Sequence, residues 1–214
     1  MIAVAAEVPA QVPAEGLAES TKEVAASASA EAKQALRRRI RAGRQSRLAR
    51  GPSPGDAGDL ADTVLDLVDR HTERQVCRVA AYESLPTEPP TNATIRRLLE
   101  AGYEVVLPVL LPDRDLDWVL AGQPDTRLGV AAISTARVIV APALAADLAG
   151  HRLGQGGGSY DRALARRDPD ALVVVLVHDD EVLADDVIPT APHDRQVDVI
   201  VTAGRGVVSR TRAG

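Results

Sequence analysis

This chain of 214 residues has no phenylalanine, one tryptophan and three tyrosines, so aromatic residues make up only 2% of it. A core without phenylalanine must be built from Val, Leu, Ile and Ala, and a ligand that stacks on rings has only Tyr82, Tyr103, Trp118 and Tyr160 to use. Lysine is nearly absent, Lys22 and Lys33 being the only two. Cysteine occurs once, at Cys77, which excludes an intrachain disulfide and points to a reducing, cytoplasmic compartment. Within "QVCRVAAY" that thiol reads as a small buried side chain rather than a nucleophile. No apolar run approaches the ~20 residues of a membrane span. The amino terminus has no basic start, and Glu7 interrupts its apolar stretch, which argues against a signal peptide. A net charge of −5 argues against a general affinity for nucleic acid. His151 and His178 have no ligand-like spacing with a third residue, which argues against a zinc site. His71 ends a helix, where a cation is welcome, and His193 beside Asp194 reads as a loop-fixing hydrogen-bonding group.

What is present suits an ordinary globular protein. With 45% hydrophobic and 26% charged residues, the chain can fill one α/β domain with extensions. Residues 1–20, rich in Ala, Pro and Glu without a sustained period, read as a mobile extension, and residues 21–204 as a single domain. The last ten residues, "RGVVSRTRAG" at 205–214, read as a mobile basic tail. A helix is expected over about 21–49, with Leu36 and Ile40 facing the core and a basic stripe that includes Arg38, Arg39, Arg41, Arg44 and Arg47. "GPSPGDAGD" breaks it. Helices follow in "LADTVLDLVDRH", "TNATIRRLLEAG" and "YDRALARR", and strands in "QVCRVAAY", "YEVVLPVL", "RVIVAPAL", "ALVVVLVHD" and "VDVIVTAG". Strands that are continuous apolar runs alternating with helices predict an open, mainly parallel sheet covered on both faces: a three-layer α/β fold. In such sheets ligands collect at the carboxyl ends of the strands.

One stretch, "RLGQGGGSYDRAL" at 152–164, concentrates four glycines beside Arg152, Tyr160, Asp161 and Arg162. It leads into a helix, so the last glycines and Ser159 can offer backbone N–H groups to phosphate oxygens. The dinucleotide fingerprint fails, because the glycines do not follow a strand directly and lack the G-x-G-x-x-G spacing. A Walker loop fails because no lysine follows Lys33, and the hydrolase elbow fails because Tyr160 and Asp161 follow Ser159.

This stretch, preceded by "PALAADLAGH" and followed by "PHDRQVDVIVT", resembles the signature region of the 5-formyltetrahydrofolate cyclo-ligase family, also called methenyltetrahydrofolate synthetases. The resemblance extends upstream through "VVLPVLLPDRDLDW" and "TEPPT" to the basic "KQALR", covering about residues 30–204 in the same order. It implies a fold related to sugar isomerases and CoA transferases. It also implies a reaction in which ATP and Mg²⁺ drive closure of 5-formyltetrahydrofolate to 5,10-methenyltetrahydrofolate, through phosphorylation of the formyl oxygen and release of ADP and phosphate. A monomer acting on these two small molecules, with neither nucleic acid nor membrane as partner, is expected. The alternative is a nucleotide-binding regulatory protein that has lost folate catalysis.

Carried over position by position, the resemblance assigns ATP to Lys33, Arg37, Arg152, Gly154, Gln155, Gly156, Gly157, Gly158, Ser159 and Tyr160. Lys33, Arg152 and Tyr160 are the catalytic candidates. Glu88, Trp118, Ser159 and Tyr160 are the folate candidates, with Glu88 set to accept from the pterin's amino and ring N–H groups. Asp161 and Asp198 are the magnesium candidates. The chain departs from the commoner pattern at Pro90, where an acid often precedes the threonine, and at Ser159, which replaces the first of a tyrosine pair. It departs again at Ala143 and Ala146, where glycine and an aromatic are common, and a roomier pocket is expected there.

Overall fold

The computed structural model describes the backbone of residues 14–51, 55–191 and 194–210, and the side chains of residues 26–51, 55–191 and 194–208. Residues 1–13, most of the expected amino-terminal extension, therefore lie outside the described residues, as do His193 and residues 211–214. Helix α1 (Ala14–Arg50) begins before the expected domain boundary at residue 20. It is followed by α2 (Asp56–Thr72), β1 (Arg78–Ala80), α3 (Asn92–Glu100), β2 (Glu104–Leu110), β3 (Leu116–Leu120) and β4 (Gln123–Arg127). Then come β5 (Ala136–Pro142), β6 (Ala145–Asp147), β7 (Arg152–Leu153), α4 (Ser159–Leu164), β8 (Leu172–Leu176), β9 (Val182–Leu183), β10 (Val199–Thr202) and β11 (Gly206–Arg210).

The main sheet has the order β11-β10-β8-β5-β1-β2-β3-β4. Its five central strands, β10 through β2, are parallel, and these are the five apolar runs expected from the sequence. Antiparallel strands extend it at both ends: β3 and β4 beside β2, and β11 beside β10. Residues 206–210 are thus a sheet edge, which corrects the expectation of a mobile tail starting at 205. The parity of the strands sorts side chains to two faces. Val138, Val140, Val174 and Leu176 pack with Leu60, Val64, Leu67 and Val68 of α2 and Leu98 of α3. Ile139, Ala141, Val173 and Val175 pack on the other face with Trp118 and with Ala163 and Leu164 of α4. The result is the three-layer α/β arrangement that the pattern predicts.

Helix α1 uses a separate seat. Leu36 and Ile40 pack on Leu144, Ala145 and Leu153 beside a small second sheet, β7-β6-β9. That sheet is pinned by Asp147, fully buried, whose carboxylate accepts from the main-chain N–H of His151 at 2.9 Å and of Ile188 at 3.1 Å. His151 reaches the same carboxylate through Nδ1 at 3.1 Å, so it serves the local structure. Cys77 lies just before β1 and packs half-buried on the α2 face, where desolvation pushes its thiol pKa up.

Candidate functional site

The carboxyl ends of β1, β2 and β5 point toward a single cavity of about 1030 Å³, closed on one side by α1. Its walls carry Lys33 and Arg37 from α1, Tyr82 and Glu88 after β1, and Arg152, Gly154, Gln155, Gly156, Gly157, Gly158, Ser159, Tyr160 and Asp161 from the glycine stretch. The position at the carboxyl edge is the one a parallel sheet favours for ligands, because its connecting loops converge there.

The glycine stretch is held open by arginines. Arg37 Nε donates to the carbonyl of Gly154 at 2.9 Å, and Arg41 Nη2 to that of Gln155 at 2.9 Å. Gly156 and Gly158 have φ of 105° and 71°, conformations that side chains rarely adopt. A Cβ on Gly154 would stand 3.0 Å from Arg152 Nη1, so the missing side chain leaves room for that guanidinium. Arg152 is itself fixed: Nη2 donates to Asp161 Oδ1 at 2.6 Å, Nη1 to the carbonyl of Pro142 at 3.2 Å, and its carbon lies 5.9 Å from the centroid of the Tyr160 ring. Lys33 Nζ meets Asp194 Oδ2 at 2.5 Å. The cations that the sequence marks for phosphate, Lys33, Arg37 and Arg152, therefore line one cavity, Arg37 and Arg152 at the glycine stretch and Lys33 beside Asp194.

Glu88 lines the same cavity on the wall facing the glycine stretch, 8% exposed. A turn from Leu85 to Glu88 presents it, and its Oε2 accepts from the N–H of Leu85 at 3.0 Å. Gln155 Nε2 donates to Oε1 at 3.3 Å, and Arg44 Nη1 lies 3.8 Å from the same oxygen. Tyr82 and Tyr160 line the cavity with hydroxyls that are buried and have no hydrogen-bond partner among the described residues. Burial is the main cause that pushes both phenol pKa values up, so both hydroxyls stay protonated near neutrality and can donate to a ligand.

Three expectations are corrected. Trp118, expected at the folate, is fully buried in the core on β3, opposite Pro108, and does not line the cavity. Asp198 precedes β10 at the amino-terminal edge and accepts from the N–H of Val173 at 2.8 Å. Val173 pairs with Ile139, three residues or about 10 Å along the strand from the Pro142 level at which Arg152 and Asp161 are tied. The two aspartates are not brought together, and among the described residues no group of three or more His, Cys, Asp or Glu could hold a metal ion. Ala143 and Ala146 are buried in the Trp118 cluster and lie outside the cavity wall, so these small residues do not enlarge it.

Sequence reasoning missed Arg44. Assigned to a solvated stripe, it is 2% exposed and pairs with Glu181 through Nε and Nη2, both at 2.9 Å, while Nη2 also donates to the carbonyl of Ala143 at 2.7 Å. Lys33, Arg37, Ile40, Arg44 and Arg47 recur at intervals of three or four, which places them on one helix face, and the buried Ile40 was the signal that this face turns inward.

Comparison with known proteins places the chain among relatives. The family model described as "5-formyltetrahydrofolate cyclo-ligase family" matches residues 29–203. A 5-formyltetrahydrofolate cyclo-ligase of Mycolicibacterium smegmatis is 38% identical over 149 residues, 61% of this chain and 76% of the relative. One from Haemophilus influenzae is 32% identical over 43% of this chain and 58% of its own length. The solved structure of a 5,10-methenyltetrahydrofolate synthetase from Aquifex aeolicus superposes with a TM-score of 0.64 at 24% identity, covering 85% of this chain and 94% of that one. That of a 5,10-methenyltetrahydrofolate synthetase from Mycoplasma pneumoniae gives 0.61 at 19% identity, over 80% and 98%. These two likenesses establish the shared fold.

Proposed function

The chain belongs to the 5-formyltetrahydrofolate cyclo-ligase family, and on that premise we propose that it uses ATP to close 5-formyltetrahydrofolate to 5,10-methenyltetrahydrofolate. The observation that carries this reading is that the cation-lined glycine stretch and the buried acid Glu88 face one cavity. One wall suits phosphate and the other suits a pterin edge with adjacent N–H donors.

The chemistry explains the two walls. A formamide oxygen is a poor leaving group. It attacks the γ-phosphorus of ATP, the bond to the bridging oxygen breaks, and ADP departs. Folate N10 then adds to the formyl carbon, loses its proton, and the carbon–oxygen bond breaks to release inorganic phosphate and the methenyl cation. The transfer needs positioning and neutralisation of charge more than covalent help. Arg152, held in place by Asp161 and Pro142, and Lys33 and Arg37 on α1 supply that neutralisation, and the Gly156–Ser159 backbone supplies N–H donors. The Tyr160 hydroxyl, kept protonated by burial, donates to the activated oxygen or to phosphate.

Asp161 is the one metal carboxylate candidate from the sequence that lies on the cavity wall. That fits a magnesium ion carried in by the nucleotide, whose phosphates and waters provide most ligands, and not an ion caged by protein alone. When bound, such an ion neutralises phosphate charge and orients the γ-phosphoryl group. A reducing, cytoplasmic setting fits the lone Cys77. Among the described residues no helix is long and apolar enough to cross a membrane.

The test is an absorbance assay of the purified protein with 5-formyltetrahydrofolate and Mg²⁺, following the near-ultraviolet band of the methenyl product with and without ATP. ATP-dependent growth of the band is expected. No growth from a protein that still binds ATP would replace this reading with that of a nucleotide-binding relative without turnover.

A further inference from the structure

Gln155 belongs to the nucleotide loop, yet its side chain ends on the opposite wall. Arg41 Nη2 fixes the residue twice, donating to its main-chain carbonyl at 2.9 Å and to its side-chain Oε1 at 3.0 Å. With the amide oxygen taken by a guanidinium, the NH₂ end is turned away, and it donates to Glu88 Oε1 at 3.3 Å. Arg41, Gln155 and Glu88 thus form a continuous chain from α1 through the loop to the acid.

The acceptor capacity of Glu88 decides whether this chain survives ligand binding. A carboxylate offers about four acceptor positions, two on each oxygen. The N–H of Leu85 uses one on Oε2 and Gln155 uses one on Oε1. Arg44 Nη1 stands 3.8 Å from Oε1, outside hydrogen-bond distance, so by count one position on each oxygen is left, the number that a ligand edge with two N–H donors needs. A pterin has that edge in its amino group and adjacent ring N–H. The ligand and Gln155 therefore occupy Glu88 together and do not compete for it.

We propose that Gln155 is a positioning residue that couples the two substrate sites, so that 5-formyltetrahydrofolate on Glu88 tightens nucleotide binding at the glycine loop. The proposal rests on the assignment of Glu88 to the folate. Gln155 and Gly156 are both exposed, and Gly156 has the widest positive φ in the stretch, so this is the segment that must be ordered around phosphate. A ligand that fixes the Glu88 carboxylate also fixes the amide bound to it, and the nucleotide then meets a loop already held in place. By linkage, nucleotide tightens folate by the same factor.

The experiment is a titration of the full-length protein with ADP, with and without saturating 5-formyltetrahydrofolate; without ATP there is no turnover. In the unaltered protein the folate is expected to tighten ADP by about five-fold, within the usual range of such couplings. Gln155→Ala should bring that ratio close to one. Arg41→Ala, which frees the amide to rotate, should reduce it as well. A ratio of one in the unaltered protein, or a ratio that persists in Gln155→Ala, overturns the coupling. A parallel folate titration of Glu88→Gln separates the two ideas. Unchanged folate affinity there removes Glu88 from the folate site and the coupling with it, whereas weakened folate with an unaltered ratio in Gln155→Ala overturns the coupling alone.

Discussion

Lys33 and Asp194, 161 positions apart, form an ion pair at 2.5 Å that ties α1 to the loop after β9. The side chains are 12% and 23% exposed, so the amine faces the cavity with a counter-charge already in place. On the proposed assignment, arriving phosphate oxygens would share Lys33 with Asp194. Replacing the amine removes a charge-assisted bond of about 1.5–3 kcal/mol from the nucleotide wall and nothing from the Glu88 wall. In Lys33→Ala the KM for ATP is expected to rise about ten-fold or more, and that for the folate less than about two-fold. Steady-state kinetics with each substrate varied in turn checks this; a larger change for the folate contradicts the assignment.

Asp161 has two tasks in one place, balancing Arg152 at 2.6 Å and offering the cavity a carboxylate. Asp161→Asn keeps the shape and removes the charge. Turnover is expected to fall by about ten-fold or more, with the Mg²⁺ concentration for half-maximal rate shifted upward. Rates measured across a magnesium series decide it, and an unaltered magnesium response would take Asp161 out of the metal site.

The parts legible in sequence are those where one physical requirement dominates. Strands buried on both faces must be apolar throughout, so all five parallel strands show as runs such as "ALVVVLVHD", and their carboxyl ends locate the cavity. Gly156 and Gly158 announce themselves because their backbone excludes side chains. Four of the six strands that escaped notice satisfy no such requirement. Gln123–Arg127 is exposed at every residue and carries no alternation, and β6, β7 and β9 are two or three residues long. Arg44 was misplaced because a basic run looks solvated until the partner, Glu181, is found 137 positions away. Asp198 was paired with Asp161 by matching positions to the family pattern, which does not say that here one stands at the amino edge and the other at the carboxyl edge.

His178 ties pH to stability near the site. Its Nε2 donates to the carbonyl of Thr87 at 3.3 Å, next to Glu88, and burial is the main cause that lowers its pKa below 6.5. Between the folded pKa and 6.5 the unfolded chain binds more protons than the native one, so stability decreases as pH falls through that window. The urea midpoint of the unaltered protein is expected to drop between pH 7.5 and pH 5.5. His178→Gln can keep the donor to Thr87 and does not titrate, so its midpoint should drop less. Equal slopes for both proteins would show that the acid sensitivity arises elsewhere.

Trp118 separates a core role from a substrate role. It is fully buried, its indole N–H has no partner among the described residues, and Ala143, Ala146 and Leu164 belong to the same cluster. Truncation to alanine opens a large void in a close-packed layer, and Trp118→Ala is expected to lose about 3–5 kcal/mol in urea unfolding. Trp118→Phe leaves a smaller void and should lose less. Because the ring does not line the cavity, the folded fraction of Trp118→Phe should keep a folate KM within about two-fold of the unaltered enzyme. A selective rise in folate KM at unchanged stability would put the indole in contact with the pterin and reverse the correction made from its burial.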